Sequence, residues 1–184
     1  MKSFFCLLFF LLPFCMQAQS KLFSKAAKIF FISKAPMEDI EARNNTAVSI
    51  WDVSTGQIEF SLLIKGFEFK KALMQEHFND DYMESDRYPK ASFKGTLKGI
   101  EQMSLQKDGV YQADIIGLLT IHGITKTISV AALITVKNNN ISARSEFSVA
   151  VADYNIKIPS IVANNISKQI KVQVYVPAYH PVSN

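Results

Sequence analysis

Beyond position 15 the 184-residue chain has no cysteine. Its two cysteines, Cys6 and Cys15, lie in an apolar N-terminal stretch, so the remainder can form no disulfide, thiolate nucleophile or cysteine-based metal site. Glycine is sparse. The seven glycines are scattered, and none builds a phosphate-cradling loop or a Gly-x-Ser-x-Gly elbow. There are three histidines, and none sits in a His-Glu-x-x-His metalloprotease motif. No basic stripe is present either, because lysines and acids are interspersed. That argues for a solvated mixed-charge surface and against nucleic acid. Internal repeats, low-complexity tracts and Pro/Gly/Ser linkers are missing as well, so one domain is expected.

The N-terminus starts basic at Lys2 and runs apolar from Phe4 to Met16, broken at Pro13, with small Ala18 beyond. This is the pattern of a cleaved secretory signal peptide over residues 1–18. The run is short of the roughly 20 apolar residues of a membrane-spanning helix. Bulky Phe14 before Cys15 disfavours a lipoprotein signal. The expectation is a periplasmic or secreted domain at 19–184. With one lysine and no acid removed, the net charge of +4 becomes +3.

Strand signals dominate the domain. Ala27–Ser33 is rich in Ile and Phe. Thr46–Val53, the turn Ser54-Thr55-Gly56 and Gln57–Ile64 read as a hairpin, with Ile58, Phe60, Leu62 and Ile64 on one face. Lys70–Phe78 breaks the alternation and spaces Leu73, Met74, His77 and Phe78 as on a short helix stopped at Asn79. The acidic stretch Asp80–Arg87 reads as a surface loop. Alternation resumes in Ala91–Lys98, in Val110–Ile121, in Thr127–Val136 after the turn His122-Gly123, in Ile141–Val151 and in Ile170–Val176. Gly117, inside a long strand, is expected to permit a bulge or bend. About eight strands and one helix predict an all-β antiparallel barrel, whose interior is either filled by side chains or holds one small ligand.

Few residues offer chemistry. Glu76 and His77 with Asp80 and Asp81 form the one candidate metal cluster, but they match neither His-Glu-x-x-His nor a calcium loop, and a helix end running into a polar loop explains the same residues. His122 at a strand end reads as structural or solvent-facing, and His180 as part of a C-terminal tail. Asp153-Tyr154 reads as a strand-edge loop with the tyrosine packed at the rim. No catalytic residue, metal or cofactor is assigned, and an enzyme is not expected.

Three segments resemble the YceI-like family of exported polyisoprenoid-binding proteins. They are Phe69–Phe78 leading into Tyr82–Gly95; Gly117-Leu-Leu-Thr-Ile-His-Gly-Ile-Thr-Lys126, the most specific; and Phe147–Ile156. The resemblance runs from about Ala27 to Val176. It departs from many members at Val149-Ala-Val-Ala-Asp153, which lacks an arginine before the late aspartate. It implies a lipocalin-like antiparallel barrel with a long apolar pocket sequestering an isoprenoid-type lipid or other long-chain amphiphile. The inward strand residues expected to line that pocket are Phe31, Trp51, Phe60, Leu62, Phe93, Leu119, Ile121, Val130 and Phe147. Each of them equally fits a filled core. The alternative function is an interaction module acting through its surface, with Asp80–Arg87 as its contact. A homodimer is left open; nucleic acid is not expected.

Overall fold

The computed structural model describes residues 21–182, so the expected signal peptide lies outside the described residues. Nine antiparallel strands form one sheet: β1 (Lys21–Lys34), β2 (Asp39–Asp52), β3 (Gln57–Leu63), β4 (Phe67–Phe69), β5 (Lys90–Leu97), β6 (Gly109–Ile121), β7 (Ile124–Lys137), β8 (Asn140–Ala150) and β9 (Gln169–Pro181). The order is β1-β9-β8-β7-β6-β5-β3-β2, and β2 pairs back onto β1. Eight strands therefore close a barrel, while three-residue β4 extends the ladder on β2 below β3. The ring is tightest away from β7 and β8, which pair only over Ala132–Lys137 and Asn140–Ser145, so that Ile124–Ala131 has β6 as its one strand neighbour among the described residues.

Strand boundaries follow the alternation, with one informative exception. β2 begins at Asp39, seven residues before the expected Thr46, because β1 pairs with it from Lys34↔Asp39 onward. That half was hidden by Asn44, a polar residue at an inward position. Fully buried Asn44 donates from Nδ2 to the Leu63 carbonyl at 2.9 Å, and its Oδ1 accepts from the Thr46 N–H at 2.9 Å. The hairpin turns behave as their residues require. His122-Gly123 and Asn138-Asn139 all have positive φ, the signature of two-residue type I′ turns that match strand twist.

Gly117 does not bulge. The β5–β6 ladder runs unbroken from Ser92↔Thr120 to Leu97↔Ile115, with Gly95 directly opposite Gly117. The register shifts lie instead between β1 and β2, either side of the Ala27↔Ala47 pair, and between β8 and β9, from Ile141↔Tyr179 to Ala143↔Val176. What the glycine pair supplies is space. A Cβ on Gly117 would come within 2.5 Å of Gly95 Cα and of the Lys94 carbonyl oxygen, and 2.7 Å from Phe93 Cζ. Phe93, two residues before Gly95 on the same face, thus places the tip of its ring over both glycines.

The helix is shorter than expected. α1 spans Ala72–His77, and the chain continues into a wider π-type turn, Phe78–Tyr82. Asn79 does not stop it; its Nδ2 donates to the Gln75 carbonyl at 2.8 Å. Leu73 points to solvent, while Met74 and Phe78 face the barrel interior. The acidic stretch is not wholly a surface loop, since Met83 and Ser85 are buried. His180 is not in a free tail but in β9, paired with Phe23.

Candidate functional site

The two barrel ends differ. One carries the β2–β3 and β7–β8 turns and residues 98–108, whose Ile100, Met103 and Leu105 pack onto the core. The other carries α1, the π-type turn, the His122-Gly123 turn and residues 151–168. Between them runs an apolar cavity of about 400 Å³. Ligand pockets run from roughly 300 to 1,000 Å³, so the space suits one small or flexible ligand.

The burial pattern shows where the cavity opens. Toward the 98–108 end its walls are Trp51, Leu97, Ile134, Val176 and Tyr179, all buried. Toward the α1 end they are Met74, Phe78, Ile156, Ile158, Val162 and Ile166, all partly exposed. Midway, β8 points Ala143, Ser145, Phe147 and Val149 inward, yet none is fully buried. In a filled barrel such a row packs against side chains from across the interior. Here Ala143 and Phe147 touch the core, yet the row keeps accessible surface along the cavity wall.

All nine sequence-predicted residues, Phe31, Trp51, Phe60, Leu62, Phe93, Leu119, Ile121, Val130 and Phe147, lie on the cavity wall. Strand alternation alone places them there. An aromatic cluster at the mouth was missed. Phe31 meets Phe67, Phe69 and Phe78 at centroid distances of 5.4, 5.5 and 5.4 Å, and Phe69 meets Phe78 at 5.0 Å. The signal was present in Phe67-Glu-Phe69, a two-residue alternation too short to read as a strand. The Phe31–Phe78 pair is stacked and the others are tilted or edge-on, and together they bind the π-type turn and β4 to β1.

Polar groups on the wall are few. At the closed end Tyr179 shares a 2.8 Å hydrogen bond with Ser49 and packs edge-on to Trp51 at 5.7 Å. Burial pushes the Tyr179 hydroxyl well above the usual tyrosine range, opposed by the Ser49 hydrogen bond. The Trp51 indole N–H finds no acceptor among the described residues. Near the mouth, burial raises Tyr154 and Tyr82, with smaller contributions from Asp153 and Asp81.

The most elaborate polar cluster lies beside the cavity, not in it. His122 is buried, not solvent-facing. Its Nδ1–H donates to the Tyr154 carbonyl at 3.1 Å, and Nε2 meets Glu84 Oε1 at 3.1 Å. The Tyr88 ring stands edge-on to it at 4.5 Å. Both ring nitrogens are thus occupied, and neither His122 nor Glu84 lines the cavity. The cluster ties the 83–88 segment and the Val151–Tyr154 turn to the β6–β7 hairpin. His77 pairs with Asp81 at 2.6 Å on the surface, and among the described residues no three His, Cys, Asp or Glu side chains gather as a metal site.

The YceI-like domain model matches residues 21–178. The chain belongs to the YceI-like family. Three solved structures share the fold of this YceI-like chain. A polyisoprenoid-binding domain from Saccharophagus degradans, implicated in plant cell wall breakdown, superposes with a TM-score of 0.77 at 14% identity, covering 90% of this chain and 100% of that one. Burkholderia cenocepacia BcnA gives 0.67 at 13%, covering 82% and 94%. A Campylobacter jejuni YceI protein gives 0.57 at 18%, covering 73% and 80%. No curated protein matches the sequence. At these identities the likeness is one of fold.

Proposed function

We propose that this YceI-like protein is exported and sequesters an isoprenoid or similar long-chain amphiphile in its barrel, without chemistry. The observation carrying the proposal is the inward row on β8, Ala143 to Val149, partly exposed to an apolar cavity that narrows to a buried end. The binding energy is simple. Each methylene taken from water contributes about 0.8 kcal/mol, so a prenyl chain needs no charged partner. The same physics makes chain-length discrimination weak, at about 1–3 kcal/mol per methylene. Family membership supports a lipid of the kind named for the Saccharophagus domain. The binding reading is favoured over catalysis because the His122–Glu84 pair is held by its own neighbours outside the cavity.

Organic extraction of natively purified protein followed by mass spectrometry tests this directly. A co-purified prenyl lipid is expected. Trp51, the one tryptophan, lies on the wall, so its emission should shift as geranylgeraniol is titrated in. Repeated preparations without lipid, together with unmoved emission, refute the proposal.

A further inference from the structure

The cavity mouth carries two apolar side chains that pack on nothing. Ile161, in the 3₁₀ turn Ser160–Val162, is 90% exposed, and Met37, in the β1–β2 connection, is 72% exposed. Hydrogen bonds join their two segments into one lip. The Met37 N–H donates to the Asn164 carbonyl at 3.1 Å, and the Ser167 N–H donates to Ser33 Oγ at 2.8 Å. Their sequence neighbours Val162 and Glu38 line the cavity, so the two tips stand at its rim.

Along residues 154–168 of the lip the charges are one-sided. No Asp or Glu occurs after Asp153. On that stretch Lys157 and Lys168 are exposed, and neither joins an ion pair among the described residues. On the Met37 side Glu38 meets Lys71 at 2.9 Å, while Asp39 lies opposite Lys34 in the β1–β2 register without an ion pair among the described residues. Asp153, just before this stretch, is exposed, and Glu76, Asp80, Asp81, Glu84 and Asp86 lie on α1 and the segment after it at the same barrel end.

We infer that this lip docks on a lipid bilayer, with Ile161 and Met37 entering the acyl boundary and Lys157 and Lys168 meeting anionic headgroups. Apolar tips flanked by free cations are the composition of an interfacial anchor. Two isolated tips fall far short of the roughly 1,000 Å² needed for a specific protein interface, whereas a bilayer demands no matching shape. Docking also supplies what the lipid-binding reading requires. Each methylene exposed to water between bilayer and barrel costs about a factor of four in equilibrium, so a mouth pressed to the membrane removes the aqueous step. The inference takes its purpose from that reading, but its test stands alone.

Co-sedimentation of the protein with vesicles of phosphatidylcholine, with and without phosphatidylglycerol, is the experiment. The wild type should bind the anionic vesicles more strongly. Ile161→Asp should lower the partition coefficient at least about tenfold. The double change Lys157→Glu with Lys168→Glu should erase the phosphatidylglycerol preference, at roughly fivefold per lysine. Both variants are on the surface, and unchanged thermal melts will show that they fold. Transfer of a fluorescent prenol from vesicles should slow in the same order, while loading from ethanol stays unchanged. Wild-type protein that loads prenol but ignores vesicles, or binds them no better than Ile161→Asp, overturns the docking and leaves the lipid reading standing. Vesicle binding without prenol loading supports the docking and removes the lipid reading. Self-association lost in Ile161→Asp, with no vesicle binding, assigns the face to a second copy and overturns the proposal.

Discussion

Replacing Gly117 with alanine should cost far more stability than the same change at its partner Gly95. The two glycines face each other across β5 and β6, and both sit under the Phe93 ring, but their surroundings differ in what can move. A Cβ on Gly117 would approach Gly95 Cα and the Lys94 carbonyl oxygen to 2.5 Å each, both main-chain atoms within an unbroken ladder. A Cβ on Gly95 would meet Phe93 Cζ at 2.6 Å, Phe93 Cε1 at 2.7 Å and Ile115 Cγ2 at 3.0 Å, all side-chain atoms beside open cavity. Overpacking costs about 1–3 kcal/mol, and alanine recovers roughly 0.5–1 kcal/mol of glycine's backbone entropy. Gly117→Ala should therefore lose about 2 kcal/mol net, since strands must separate, and Gly95→Ala about 0–1 kcal/mol, since the ring can swing inward. For a domain of this size 2 kcal/mol lowers Tm by roughly 4–8 °C. Urea melts with unchanged slopes would measure both. The Phe93→Ala background isolates the cause: there Gly95→Ala should become neutral or stabilising, while Gly117→Ala keeps most of its cost. Equal losses at the two positions, or rescue of Gly117→Ala by Phe93→Ala, would refute the argument from main-chain contact.

Three further outcomes follow from the same geometry. His122→Ala removes the donor to the Tyr154 carbonyl and the partner of Glu84, costing about 1–3 kcal/mol; hydrogen exchange should accelerate at the Ser85, Arg87 and Tyr88 amides, and unchanged protection there would show that the cluster does not hold the segment. Tyr179 has its folded pKa raised above the unfolded value near 10.0, so its contribution is fully present below pH 10 and is lost as pH rises toward the folded value. Alkaline melts should thus show the stability gap between wild type and Tyr179→Phe closing above pH 10, with one tyrosinate absorbance step arriving only on unfolding. Ala132 is a small inward residue on the cavity wall; Ala132→Phe should fill the space and abolish prenol-induced change in Trp51 emission while leaving Tm near wild type, and full retention of prenol binding would place the ligand elsewhere.

Much of the barrel was legible because period-two alternation is a local property. Each residue on one face predicts the next, so Ile58, Phe60 and Leu62, or Ile128, Val130 and Ala132, declare their side without any partner. All nine predicted wall residues were reachable this way. Failures came where a local signal was interrupted. Asn44 put a polar side chain at an inward position and concealed half of β2. Phe67-Glu-Phe69 was too short to read, yet it supplies two rings of the mouth cluster. His122 looked like an ordinary turn residue, because Glu84 and the Tyr154 carbonyl are 38 and 32 residues distant in the chain.

The chain by itself determined strand identity, the inward and outward faces, and the positive-φ turns at His122-Gly123 and Asn138-Asn139, since these depend on neighbours within a few residues. Whether the inward faces meet or enclose a space was decided by the tertiary structure alone. That outcome depends on the number of strands closing the ring, on register shifts in the β1–β2 and β8–β9 ladders, and on a Gly95–Gly117 contact that lets Phe93 lie along the wall. The same pattern of apolar residues builds a filled core or a cavity wall, and only the distance across the barrel distinguishes them.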